Sequence, residues 1–348
     1  MISSVSTSAM SNALSNSIVD LQKRLSIAQK ELTTGQHADM SVAIGSQQTR
    51  DSLLHLSVSD IDAITASNNV VASRLEITQT SLQKLSTDAQ AMRSALMTAQ
   101  NGIGNRGAII QQAQTALGAM MSGLNASSGG VFVFGGVKGD TAPITDTASA
   151  PPSAAKAALD AAFTSNFGFP PSDPLVSTIT ASQMDAFISG PMAALFSPAS
   201  WTTDWSSASS SPLQNRISIT RTSATSVTAN DASFQKLAAG YTMLTSLGAS
   251  NLSKDTFQAV VTAATNAIDQ GVSGLTNLQE KVGVMQADVK SALDNMATQK
   301  DLLSAQIGAL EGVDPSLASV TVTNLMTQIE TSYSLTARIQ QLSLTKYL

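Results

Sequence analysis

The chain has 348 residues, a net charge of −5 and only 12% charged side chains, against 43% hydrophobic and 4% aromatic. That length allows two or three compact domains. With no basic block and no aromatic–basic interleaving, the footprint of a nucleic-acid binder is missing, and the absence of cysteine excludes disulfides, thiolate metal sites and a cysteine nucleophile. The apolar share is largely Ala, Leu, Val, Ile and Met, which suits long helices, and Ser and Thr supply much of the polarity that charges usually carry.

In chain order, residues 1–17 lack a basic n-region and a continuous apolar h-region, so no cleaved secretory signal is expected. No apolar run approaches the roughly 18 residues of a membrane helix, so no membrane insertion is expected. A helix is predicted over 7–34, with Ile18, Leu21, Leu25, Ala28 and Leu32 at steps of three and four and Gly35 as its stop. A second spans roughly 47–100. Its alternating steps of three and four run through Leu54, Ser57, Ile61, Ile64, Asn68, Val71, Leu75, Thr78, Leu82, Leu85, Ala89, Met92, Leu96 and Ala99, a heptad seam with few polar interruptions. The stretch Asn101–Gly107 breaks it, and a third helix runs to about 126 on Ile109, Ala113, Ala116, Leu117, Met120 and Leu124.

The middle differs. "SGGVFVFGGVKGDTAPI" reads as a short strand, VFVF, between glycine turns, and 143–213 reads as a small inserted domain rich in Ser, Ala and Pro. Short helices are expected near 153–163 and 182–196, with Trp201 and Trp205 as the insert's own small core. "RISITRTSATSVTAND" alternates Ile217, Ile219 and Arg221 as a strand or hairpin, and Asn230 or Asp231 caps the helix that follows. From Phe257 the seam returns in Val261, Ala264, Ile268, Gly271, Leu275, Leu278, Val282, Met285, Val289, Ala292, Met296, Leu303 and Leu310. The last helix starts at Asp314 as cap and Pro315 as first turn. The two seam helices come to about 70 Å and about 85 Å. Helices of such similar length in opposite halves of a chain pair most simply as an antiparallel bundle, with the terminal helices meeting at one end.

Catalytic chemistry is sparse. His37 and His55 are read as solvated positions with no cysteine, second histidine or carboxylate at ligand spacing, so no metal is expected. "GGVKGD" lacks the spacing of a phosphate loop and is not followed by a helix start, and no GxSxG follows a strand. The carboxylates are scattered rather than paired. Met92, Met97, Met120 and Met121 fall on apolar helical faces and read as core filler; the triplets at Asn125 and Asn251 match a glycosylation acceptor on three residues only. No enzyme activity and no cofactor are expected.

The stripes on 7–34 and 315–348 are short for isolated helices in water. Paired together they bury one face each and leave apolar residues, Leu344 and Leu348 among them, for other copies of the chain. An open self-complementary geometry of this kind suits a filament rather than a closed ring. Terminal helices at both ends, paired long helices and a central insert resemble the bacterial flagellin family over roughly 1–142 and 214–348. "GGVFVFGGVKGDTAPI" and "VTANDASFQKL" are similar to segments of the family's hook–filament junction members, and "LMTQIETSYSLTARIQQLSLTKYL" is similar to their terminal helix. The opening also lacks the Asn-Thr-Asn common in filament subunits.

The resemblance implies a mainly α fold, a long antiparallel coiled-coil bundle with a small insert and a β-hairpin. It implies three zones: a terminal-helix polymerisation domain (1–45 and 312–348), a helical rod (46–142 and 214–311) and a variable, surface-exposed insert (143–213). The expected assembly residues are Ile18, Leu21, Leu25 and Leu32 on one helix and Leu325, Ile329, Leu335, Ile339, Leu342, Leu344 and Leu348 on the other. It further implies an extracellular flagellar component exported without a cleaved signal, and partners comprising other copies of itself, a hook-side junction protein, flagellin and a cytoplasmic export chaperone at the C-terminal helix. Three alternatives stand beside it: filament flagellin itself, a type III needle-tip or translocator protein, and a helical adaptor that stays in the cytoplasm.

Overall fold

A computed structural model describes residues 2–100 and 105–344, with side chains from 9 to 100 and from 105 to 339. The fold is mainly α. It divides into two compact units, Met1–Asp62 with Met296–Leu348, and Ala63–Asn295.

In the first unit α1 (Ile2–Thr34) ends where Gly35 takes a left-handed φ of 69° and its N–H donates to the Glu31 carbonyl at 2.8 Å. A glycine suits that position because a Cβ disfavours positive φ. The short α2 (Met40–Ile44) is capped by the Asp39 carboxylate, which accepts from the Val42 N–H. The start of α3 (Gln48–Gln100) and the end of α10 (Lys254–Glu311) belong here too. They run antiparallel, as the Lys300–Asp62 and His55–Glu311 pairs show. The closing helix, α11 (Pro315–Leu344), begins as expected, with Asp314 Oδ1 accepting from Ser316 and Leu317 N–H. It packs on α1 through a small core of Leu21, Ala28, Leu325 and Ile329, flanked by Leu25 and Val322.

In the second unit the seam of α3 is buried without interruption: Ile64, Asn68, Val71, Leu75, Thr78, Leu82, Leu85, Ala89, Met92 and Leu96 all face inward. The matching positions of α10 from Val261 to Ala292 are buried as well, Gly271 among them. Pairs Gln83–Gln279, Arg93–Asp269 and Gln100–Gln258 run in opposite order along the two helices. Of the two polar seam residues, Thr78 Oγ1 donates to the Arg74 carbonyl at 2.8 Å and Asn68 Nδ2 to the Ile217 carbonyl at 2.8 Å, while Asn68 Oδ1 is buried and accepts no hydrogen bond. Helix α4 (Arg106–Leu124) is capped by Asn105, and its predicted apolar face is fully buried. The break before it falls partly on residues 101–104, outside the described residues.

The VFVF strand is shorter than expected. β1 (Ser127–Ser128) and β2 (Val131–Phe132) form a hairpin over Gly129 and Gly130, both at positive φ, which is the demand of a two-residue hairpin turn. Val133 and Phe134 leave the ladder to enter the core. β3 (Gln214–Arg216) and β4 (Thr222–Ala224) form the second hairpin. Its turn occupies 217–221, so Ile217 is buried while Ile219 is exposed, and the predicted alternation belongs to the loop.

Between the hairpins lie α5 (Ser153–Phe167), α6 (Ala181–Phe187), a π-helical turn (Ile188–Met192), α7 (Ala193–Leu195) and α8 (Pro198–Asp204). These helices do not enclose a core of their own. Phe163, Phe187, Trp201 and Trp205 join one continuous apolar core with α3, α4, α9 (Ala232–Ser246) and α10. The two indoles stack with centroids 5.0 Å apart, and Trp201 Nε1 donates to the Ala229 carbonyl at 3.0 Å. Asp231 caps α9, accepting from the Ser233 N–H, while Asn230 bonds Ala208 and Ser210 instead. Of the four methionines read as core, Met97 is exposed. Asn125 exchanges two hydrogen bonds with the Ile144 main chain and is therefore committed inside the fold rather than offered as a glycosylation acceptor.

Candidate assembly surface

The terminal pair carries two kinds of apolar residue. Ile18, Leu21, Leu325 and Ile329 are buried, and Leu25 is half-buried beside them. Burying one such side chain contributes about 1.5–3 kcal/mol, so this core holds α1 to α11. Gln22 Nε2 donates to Tyr333 Oη at 2.8 Å across the same pair. Leu32 and Leu335 point outward, at 39% and 47% exposure, and Ile339 is half-buried. The side chains of Leu342 and Leu344, and the whole of Leu348, lie outside the described residues.

Sequence periodicity missed part of the outer face. Val19 is 64% exposed and Leu317 66%, and Ile27, Val320 and Met326 are exposed as well. They fall off the stripe that the α1–α11 contact uses, so a reading of one apolar face per helix passes over them. Their signal was present in the sequence as apolar residues outside the shared stripe.

Six hydroxyls of α11 are bonded to their own helix. Thr321, Thr323, Thr327, Thr331, Ser332 and Thr336 each donate their hydroxyl to the carbonyl four residues earlier, at 2.8 to 3.0 Å. A hydroxyl satisfied in this way gives up little when it is desolvated. The described part of α11 carries only Glu330 and Arg338 as charges, so α11 presents a surface with few charges to strip of water.

Two distant segments meet in one node of the second unit. Gly135 bridges Thr228, Ala229 N–H donates to the Phe134 carbonyl at 2.9 Å, and Phe134 meets Phe234 edge to face at 5.7 Å. At Gly136, with φ 60°, a Cβ would stand 2.8 Å from the Ser209 carbonyl oxygen and 2.5 Å from that of Ser211. This node holds the chain entering and leaving 143–213 at one point.

His55 is exposed, as expected, but it is not alone. Its Nε2 lies 2.8 Å from Glu311 Oε1 and 3.9 Å from Asp51 Oδ1. The hydrogen bond to Glu311 raises the imidazole's pKa above its ordinary value, against a smaller effect of burial. The expectation that no carboxylate stands at ligand spacing is thus corrected: Asp51 precedes His55 by one helical turn, and Glu311 arrives from the far end of the chain. No helix among the described residues is long and apolar enough to cross a membrane.

Comparison with known proteins gives two family matches. The bacterial flagellin N-terminal helical region matches residues 5–138, and the bacterial flagellin C-terminal helical region matches 265–348, together more than half of the chain. Among solved structures, one assigned to a flagellar hook-associated protein from Vibrio parahaemolyticus is similar at 15% identity and a TM-score of 0.49, covering 77% of this chain and 96% of that one. No curated protein matches.

Proposed function

The chain belongs to the bacterial flagellin family, the structural, non-enzymatic proteins of the extracellular flagellum, and from that premise we propose that it forms the junction zone between hook and filament. The observation that carries an assembling role is the set of exposed apolar residues on α1 and α11, left over after the two helices have packed on each other. Apolar residues exposed in this way gain by burial against neighbouring copies. In this proposal the inner tube is made by Ile18, Leu21, Leu25 and Leu32 packed against Leu325, Ile329, Ile339 and Leu342, with Leu335, Leu344 and Leu348 meeting other copies. Residues 1–45 with 312–348 are the polymerising zone, 46–142 with 214–311 the surrounding rod, and 143–213 the outward part.

The junction role, as against the bulk filament, is supported by the likeness of 129–144 and 227–237 to segments of flagellar hook-associated protein 3. These two segments build the shared node at Phe134, Thr228 and Ala229. A junction protein contacts a second junction protein on its hook side and flagellin on the other. Before export through the flagellar type III apparatus, without a cleaved signal, its C-terminal helix is held by a cytoplasmic chaperone. Filament flagellin is the alternative within the same family.

Immunogold electron microscopy of whole cells, with an antibody to the folded chain, tests this. A single band where hook meets filament is the expected result. Label along the entire filament would identify a flagellin, and label confined to the cell interior would overturn the assembling role.

A further inference from the structure

One cluster of ligating side chains stands apart from the assembly surface. We propose that Asp51, His55 and Glu311 form a binding site for a divalent cation of the zinc class. The three ligand atoms, Asp51 Oδ1, His55 Nε2 and Glu311 Oε1, all lie within 4.8 Å of one another. A tetrahedral zinc with ligand bonds of about 2.1 Å spaces its ligand atoms about 3.4 Å apart. The His55–Glu311 gap of 2.8 Å therefore opens slightly and the His55–Asp51 gap of 3.9 Å closes slightly, movements within the reach of side-chain rotation.

The donor set selects the metal. Two carboxylates and an imidazole suit zinc and its transition-metal neighbours, whereas magnesium and calcium prefer oxygen alone. Asp51 Oδ1 is buried and accepts no hydrogen bond. A buried carboxylate oxygen without a donor is costly, and a cation in the cluster would give this oxygen a direct partner. Among the described residues no Lys or Arg pairs with either carboxylate.

Outer contacts already orient the ligands. Gln36 Nε2 donates to Glu311 Oε2 at 3.0 Å, leaving Oε1 turned to His55, and the His37 N–H donates to the Glu311 carbonyl at 2.9 Å. Hydrogen bonds of this kind fix a ligating carboxylate in place. The His55 side chain is 53% exposed, which leaves an entry path and room for water as the fourth ligand. A bound ion would tie the α1–α2 connection, the first turns of α3 and the last residue of α10 at one point, all within the first unit.

The test is titration of the chelator-stripped full chain with Zn²⁺ by isothermal calorimetry near neutral pH, in the presence of excess Mg²⁺. We expect one equivalent of Zn²⁺ bound. His55→Gln and Asp51→Asn should each abolish saturable binding while the circular dichroism spectrum stays unchanged. Gln36→Ala should weaken binding about 10–100-fold. No one-to-one binding by the unaltered chain would overturn the proposal. Undiminished binding in a folded His55→Gln chain would overturn it as well, since the ion would then sit elsewhere.

Discussion

Arg106 shows how much one side chain can hold where a helix begins. Its guanidinium donates to the carbonyls of Ser250 and Leu252, at 3.2 and 2.7 Å, and lies 4.3 Å from the centroid of the Phe257 ring. It thereby ties the start of α4 to the loop before α10. Arg106→Ala should destabilise the chain by about 2 kcal/mol, the sum expected for charge-assisted hydrogen bonds and a ring contact. Urea denaturation reads this as a lower midpoint with an unchanged slope. Asp146 gives a pH-dependent counterpart. Hydrogen bonds from Ser153, and more weakly from the Ala148 N–H, hold its carboxyl below the ordinary carboxylate value. A depressed folded pKa stabilises the fold above the unfolded value and loses that contribution as pH falls through the folded one. Asp146→Asn should therefore be less stable than the unaltered chain at neutral pH, and the difference should shrink on acidification below about pH 4; thermal melts across that range would check it. Residues of this kind were only partly legible in the sequence. Asp314 and Asp231 announce themselves as caps because their partners are two and three residues away. Glu311 does not announce itself as a partner of His55, because 256 residues separate them. Asp51 sits one turn before His55 and gains meaning only once Glu311 arrives.

At the scale of elements, the seams of α3 and α10 were read almost position by position, since a period near 3.5 leaves a repeated apolar mark. Gly271 is the informative exception. In the sequence it looks like a gap in the seam. In the fold a Cβ there would lie 2.6 Å from Leu237 Cγ and 3.2 Å from the Leu237 nitrogen, so the gap is where α9 presses onto α10. Gly240 and Gly274 extend the same contact, against Ile268 and Ser233. Gly271→Ala should push the helices apart at a cost of about 1–3 kcal/mol, seen as a fall in melting temperature even though alanine is the better helix former. The core around 143–213 was the least legible part. A Ser- and Pro-rich stretch reads as a separate insert, but Trp201, Phe163 and Phe187 are buried in the same core as α3 and α10. Local composition carries no trace of which distant helix a side chain will meet.

For the whole molecule the sharpest prediction concerns Ile339. It is half-buried late in α11, away from the Leu21, Ala28, Leu325 and Ile329 core. In the proposed assembly it is covered by other copies, and an unpaired charge buried there costs several kcal/mol per subunit. Ile339→Asp should leave the core of 63–295 melting as before and abolish polymerisation, measured by sedimentation and negative-stain microscopy. Polymers indistinguishable from those of the unaltered chain would remove the terminal helices from the interface. The hydroxyls of α11 bear on how such an interface would behave under load. Six of them, on Thr321, Thr323, Thr327, Thr331, Ser332 and Thr336, are bonded to their own helix, so neighbouring helices that shift along each other have fewer directed bonds to break. Only dispersion changes, in small increments. An array built on such faces slides rather than cracks, and it could transmit torque while it bends.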